Sequence, residues 1–260
     1  MSVDPVALQE EEYLFPYHYV SSYMPHFRHF FCDSWAVHYL STIEFLLSEL
    51  SKVSFKSIVD VGCGDGRFTQ ELALRFPGAK VAGVDFSRKA ITLAEAMNTT
   101  AARFFCADIA DETNFLSDGG GYLTSSEGRQ DAAVLMEVFE HIPPDRAGVF
   151  VEGLARLLVP GGLLFVTVPH SNKPVEPKHF RHFTSQSLVS EFSGHFEVLE
   201  IKPFERRCLR LKLLQRLLVN RFFILNNGRA LDAIYRSYKK SLFEAEEKNC
   251  QRLYLKLRRC

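Results

Sequence analysis

Gly62, Gly64 and Gly66, set at alternate positions, constrain this chain more than any other feature. They follow a β-branched apolar run, Ile58-Val59 and Val61, too short for a helix and suited to a strand buried on both faces. Beyond them Phe68, Leu72, Ala73 and Phe76 recur at helical spacing. The order is therefore strand, glycine turn, helix. In a parallel sheet such a turn lies at the carboxyl end of the strand, where missing Cβ atoms let a ligand approach the backbone.

Acidic residues downstream narrow the ligand. Asp85 ends a second strand-like run over 80–86, about 20 residues past the glycines, where a carboxylate commonly takes ribose hydroxyls. A nicotinamide dinucleotide, and so an oxidoreductase, is one reading of that pair. Against it, Arg67 stands where the pyrophosphate fingerprint has a third small residue, and Asp60 and Asp65 crowd the turn. Asp108 supplies a further carboxylate at the end of a third run over 103–109. Acids at successive strand ends suit a nucleoside carrying positive charge.

Five motifs then fall in order: Val-Asp-Val-Gly-Cys-Gly-Asp-Gly (59–66), Gly-Val-Asp-Phe-Ser (83–87), Cys-Ala-Asp-Ile (106–109), Glu-Val-Phe-Glu-His-Ile (137–142) and Leu-Val-Pro-Gly-Gly-Leu-Leu-Phe-Val-Thr-Val-Pro (158–169). Together, over about 110 residues, they resemble the class I S-adenosylmethionine-dependent methyltransferases. The resemblance implies an α/β, Rossmann-like sheet, mostly parallel with a final antiparallel strand, helices on both faces and helical extensions. It also implies that the Gly62 to Gly66 loop lies under the methionine part of S-adenosylmethionine, with Asp60, Gly62, Cys63 and Gly64 among the cofactor-binding residues. Asp85 and Phe86 would serve the ribose side, Asp108 and Ile109 the adenine, and Glu137 the ligand edge of the fourth strand.

Composition sets limits on partners and compartment. The 31 basic and 31 acidic residues cancel, so overall charge carries no nucleic-acid footprint. No apolar run approaches the roughly 18 residues of a membrane span, and the start lacks a basic-then-apolar signal pattern. Six cysteines without a C-x-x-C pair fit a reduced, cytoplasmic protein. Cys63 reads as a small side chain tucked under the turn rather than as a nucleophile.

Four segments follow from the pattern. Residues 1–52 form an amino-terminal helical and aromatic extension with a helix over 35–50, and the resemblance implies that it is a lid, with Tyr13, Phe15, Tyr17, His18 and Tyr19 as candidates to close over the ligand. Residues 53–204 carry the alternating strands and helices of the cofactor-binding core, with helices over 66–76, 87–97 and 144–159, a Gly/Ser-rich surface loop over 118–130 and a sixth strand over 196–203. The family normally adds its seventh strand by a short hairpin. Here residues 205–250 are helical in composition and read as an inserted subdomain near the substrate entrance, so that residues 251–260 supply the last strand.

Catalytic candidates cluster beyond the fourth and fifth strands. His141 is the leading general base, since an imidazole titrates close enough to neutrality to accept a hydroxyl proton. His179 and His182, in a proline-broken loop, stand behind it. The same region resembles the Glu-x-x-Glu-His plus downstream His metal site of small-RNA 3′-terminal 2′-O-methyltransferases, which makes Glu137, Glu140, His141 and His182 candidate ligands for a divalent ion. Arg206, Arg207, Arg210, Lys212, Arg216 and Arg221 form a basic run open to peripheral surface contact, although its leucines and cations do not separate into two clean faces. The expected function is methyl transfer to oxygen on a sugar, glycan or small phenolic or quinone-like acceptor. An RNA ribose methyltransferase and a non-catalytic nucleoside-binding subunit are the alternatives.

Overall fold

The structure, a computed structural model, describes residues 7–8, 34–111, 120–125, 128–218, 222 and 227–260. Tyr13, Phe15, Tyr17, His18 and Tyr19 lie outside the described residues. A helix α1 (Ser34–Leu50) leads into a seven-stranded sheet ordered β3-β2-β1-β4-β5-β7-β6. Its strands are β1 (Ser57–Val61), β2 (Lys80–Asp85), β3 (Arg103–Cys106), β4 (Gln130–Met136), β5 (Leu158–Pro169), β6 (Phe196–Arg206) and β7 (Cys250–Arg259). The first five pair in parallel, while β7 runs antiparallel between β5 and β6.

Period-two alternation sorts the strand residues between two cores. Val59, Val61, Ala133, Leu135, Leu164, Val166, Leu253, Leu255 and Leu257 face one side. There they meet α5 (Ala147–Leu157) and α6 (Ser185–Phe192) through Phe150, Leu154, Leu188 and Phe192. Ile58, Ala132, Val134, Phe165 and Tyr254 face the other side. That face is covered by α1, by α2 (Arg67–Arg75), and by α7 (Leu209–Leu218) and α8 (Gly228–Ser241), the two helices between β6 and β7. A sheet buried on both faces explains why its strands read as nearly continuous apolar runs.

Helix ends follow local chemistry. Ser87 caps α3 (Arg88–Met97) by accepting a hydrogen bond from the Ala90 amide, and Thr184 closes a capping box with Ser187 at the start of α6. The helix expected over 144–159 begins later, at Ala147. A turn in which the Arg146 amide donates to the Pro143 carbonyl comes first, as two successive prolines favour. The stretch 118–130, expected to be a loop, holds a short helix α4 (Gly120–Thr124). Its inward Leu123 is buried in the first core, and that single anchor was hidden among glycines and serines.

Strand order reverses between β1 and β4, whose carboxyl ends part above the sheet. In open α/β sheets that reversal point is where ligands sit.

Candidate active site

A cavity of about 450 Å³ opens at this point. Its first wall is the turn after β1. Gly62 and Gly64 have φ of 71° and 55°, and a Cβ on Gly62 would stand 2.5 Å from Val138, so only glycine fits there. The Gly62 and Cys63 amides donate to the Val84 carbonyl at 2.8 and 3.1 Å, fastening the turn to the end of β2.

Asp85 sits where that fastening ends. Its Oδ2 accepts from the Gly64 amide and its Oδ1 from the Ser87 amide, both at 2.9 Å. The carboxylate is thereby fixed in rotamer on the cavity wall. Asp108 accepts from the Ala110 amide at 2.9 Å and from Arg146 at 3.1 Å, and buried Ile109 adjoins it. Phe86 also lines the cavity and is half exposed. Thus Asp60, Gly62, Cys63, Gly64, Asp85, Phe86, Asp108, Ile109 and Glu137, dispersed in sequence, all border one space.

Burial governs the chemistry of two of them. The Cys63 thiol is pushed up by burial and then by Asp85, which leaves it inert as a nucleophile. Asp60 accepts from the Thr69 hydroxyl at 2.7 Å, yet burial, followed by the charge of Asp85, raises its carboxyl to about 7. Unfolded, the same group titrates near 3.8. The contribution of Asp60 to stability is therefore intact at acid pH below that value and is lost as pH climbs through about 7. Asp60→Asn should remove this dependence. In thermal melts of the ligand-free protein at pH 5 and pH 8, the wild type should lose more of its Tm than the variant, and equal losses would contradict a buried, protonated Asp60.

The opposite wall is formed by the short 3-10 turn Phe139–His141 and the loop after β5, joined where the Phe180 amide donates to the Glu140 carbonyl at 2.9 Å. His141 Nδ1 lies 3.0 Å from the Lys178 carbonyl, and His182 Nδ1 lies 3.1 Å from that of Lys173. A carbonyl only accepts, so neutral His141 and His182 carry their protons on Nδ1. His182 Nε2 then accepts from His179 Nδ1 at 2.8 Å. The basic nitrogens of His141 and His179 are consequently both Nε2. Burial, then the neighbouring His141, lowers His179 to about 3. Glu140 is 1% exposed with neither carboxylate oxygen hydrogen-bonded, and burial followed by Glu137 pushes its carboxyl well up.

The expected metal set assembles differently. Ligand atoms of Glu140, His141 and His179 lie within 4.8 Å of one another. Glu137 turns to Arg252, whose Nε donates to its Oε2 at 2.8 Å, and His182 stands behind His179 without lining the cavity. The sequence reading named His182 because a His-x-x-His pair in a proline-broken loop has no period to tell which member faces inward.

Three further cavity residues went unmarked in the sequence. Arg252, on β7, bridges Glu137 and Glu205, and Glu205 Oε1 lies 2.5 Å from His38 Nδ1 on α1. No motif connects residues so far apart, and a lone arginine in an alternating strand reads as a solvated edge. The one available signal was Glu205 itself, the last acid before a long basic stretch.

Comparison with known proteins bears on the family and the fold. The chain is 29% identical over 172 residues to "Uncharacterized methyltransferase AN0656" of Emericella nidulans, covering 57% of this chain and 59% of that one. It is 36% identical over 118 residues to a ubiquinone biosynthesis O-methyltransferase of Ralstonia nicotianae, covering 45% and 44%. The chain thus spans about half the length of the curated relatives it matches. Among solved structures, the N-methyltransferase NodS of Bradyrhizobium japonicum WM9 in complex with S-adenosyl-L-homocysteine superposes with a TM-score of 0.56 at 14% identity, covering 98% of this chain and 99% of that one. At that identity the likeness shows the fold alone. A family profile described as a methyltransferase domain matches residues 34–209, well over half of the sequence, and the chain belongs to that methyltransferase-domain family.

Proposed function

We propose that the chain is an S-adenosylmethionine-dependent methyltransferase acting on a hydroxyl of a small acceptor, such as a sugar, a glycan unit or a phenolic or quinone-like molecule. The observation that carries the reading is that one cavity joins Asp60, Asp85 and Asp108 around a bare glycine turn to Glu137, Glu140, His141 and His179 on its far side. The residues fit the cofactor. The carboxylates of Asp85 and Asp108 favour a sulfonium nucleoside over a pyrophosphate, and the left-handed glycine turn presents bare backbone to the cavity. Asp85 would hold the ribose hydroxyls and Asp108 with Ile109 the adenine. Bound there, S-adenosylmethionine supplies an electrophilic methyl group.

The chain's own part is to align the acceptor oxygen and take its proton. His141 Nε2 suits that task because its Nδ1 is spent on a backbone carbonyl that fixes the ring. His179, held near 3, is too weak a base at neutral pH and serves to seat His141, whose ring it meets edge-on at 4.7 Å. The acceptor side is polar among the described residues, with His38, Thr42, Lys173, Glu176, Lys178 and Gln251 on it, which favours a hydroxyl-rich acceptor. The named O-methyltransferase relative supports oxygen as the acceptor atom.

A second reading rests on Glu140. Its unpartnered carboxylate beside His141 and His179 suits a divalent ion, which would polarise the acceptor oxygen and favour a ribose or catechol-like diol. One experiment separates the two readings. With labelled methyl donor and a metabolite extract, His141→Gln should lower turnover about 100-fold while S-adenosylhomocysteine binding by calorimetry stays unchanged. Activity that survives exhaustive chelation supports the proton-acceptor reading, and activity lost to chelation and restored by Mn²⁺ supports the metal. Tight binding with no acceptor ever methylated would make the chain a nucleoside-binding subunit instead.

A further inference from the structure

Helix α7 carries leucines on two opposite faces. Leu211 is buried in the core under the sheet, and Leu214 and Leu218 pack against the same cluster. Leu209, Leu213 and Leu217, spaced four apart, form a separate stripe that is 72%, 56% and 42% exposed. At 3.6 residues per turn, Arg210 falls on one flank of this stripe and Lys212 and Arg216 on the other. All three cations are exposed, and among the described residues no ion pair engages them. Phe222, 80% exposed, lies just past the end of the helix.

The charge around the stripe is of one sign. Between Glu205 and Asp232 the sequence has no acidic residue, while Arg206, Arg207, Arg210, Lys212, Arg216, Arg221 and Arg229 fall within the span. In a chain whose formal charge is zero, this is a local surplus. A helix that folded only to cover its own core would not place leucine between cations on its outer face. A nucleic acid would use the cations and leave the leucines in water. An environment that takes both is the boundary of an anionic bilayer, where aliphatic side chains enter the acyl edge and guanidinium and ammonium groups meet lipid phosphates.

We propose that α7 is a peripheral membrane contact that seats this chain on an anionic lipid surface through Leu209 and Leu213, with Arg210, Lys212 and Arg216 on the headgroup phosphates. Its place in the fold gives the contact a consequence. Arg207, at the foot of α7, donates to the Asn172 carbonyl at 2.6 Å, and Asn172 begins the loop whose Lys173, Glu176, Lys178 and His179 line the cavity. Seating α7 on a membrane therefore brings the acceptor side of the cavity close to the headgroup layer. The inference stands on the surface of α7 and does not depend on the reaction proposed for the cavity.

Cosedimentation of the full chain with lipid vesicles tests it. The protein should bind phosphatidylcholine vesicles containing phosphatidylglycerol, ignore pure phosphatidylcholine, and release as salt rises. Leu213→Glu should weaken vesicle binding roughly tenfold or more while leaving S-adenosylhomocysteine binding intact, and Leu74→Glu, at an equally exposed leucine on α2, should change neither. Absence of binding to anionic vesicles overturns the proposal, as does binding that Leu213→Glu leaves untouched. Capture of a single-stranded RNA that is indifferent to Leu213→Glu, without vesicle binding, would assign the face to nucleic acid. A concentration-dependent dimer that Leu213→Glu dissolves, again without vesicle binding, would assign it to a second copy.

Discussion

Asp85→Ala should weaken S-adenosylhomocysteine binding by about two orders of magnitude. The carboxylate is held by the Gly64 and Ser87 amides at the carboxyl end of β2, on the wall of the cavity. A carboxylate that accepts from both ribose hydroxyls makes two charge-assisted hydrogen bonds, and losing them from a buried site costs about 3 kcal/mol, or roughly 100-fold in Kd. Alanine also leaves two amides without their acceptor and could loosen the turn. Asp85→Asn separates these effects, because it keeps the shape and one acceptor oxygen while removing the charge. Because both carboxylate oxygens accept from backbone amides and the Asn amide can satisfy only one of them, it should lower the Tm less than alanine does and still lose much of the affinity in calorimetry. Unchanged heat with Asp85→Ala would remove the ribose from this strand end, and binding of NADH in place of the sulfonium nucleoside would return the dinucleotide reading.

The parts of the site that could be read from sequence are those set by local rules. The glycine turn, the acid that ends β2 and the acid after β3 all sit at strand ends, and strand ends show wherever an apolar run stops. The sheet was legible for the same reason, including a last strand displaced to residues 250–259 by the two helices before it, since Leu253, Leu255 and Leu257 alternate regardless of what precedes them. What could not be read depends on distant pairing. Whether His179 or His182 would face the cavity was decided by the Lys173 carbonyl, which captures His182 Nδ1. The mixed pattern of α7 resisted a two-face reading because the helix is apolar on two sides, and only the packed fold tells the covered leucines from the open ones.

The ion-pair chain across the cavity was equally hidden, and it carries the other large expectation. Arg252→Met should destabilise the protein by roughly 3 kcal/mol, lowering Tm on the order of 10 °C, because it strands the buried carboxylate of Glu205 and the partly buried one of Glu137. Arg252 donates to Glu137 through Nε and to Glu205 through Nη1, while Gln251 at 3.2 Å and His38 at 2.5 Å hold the other oxygen of Glu205. Both glutamates also sit in the left-handed region, with φ of 55° and 62°, the only residues other than glycine to do so among those described. That conformation costs an L-residue about 1–2 kcal/mol, so a single guanidinium holds two strained strand ends, one from β4 and one from β6, in register. Lysine keeps the charge but lacks the fork that reaches both carboxylates, so Arg252→Lys should fall between wild type and Arg252→Met. Adding Glu205→Gln to Arg252→Met should recover part of the lost stability, since the amide needs no counter-ion. Turnover should not recover with it, because Glu137 still lacks the group that aims its carboxylate at the cavity. A double variant that regains both would reduce Arg252 to a structural tie, whereas recovered Tm with depressed kcat would make it the residue that sets the acceptor-side geometry.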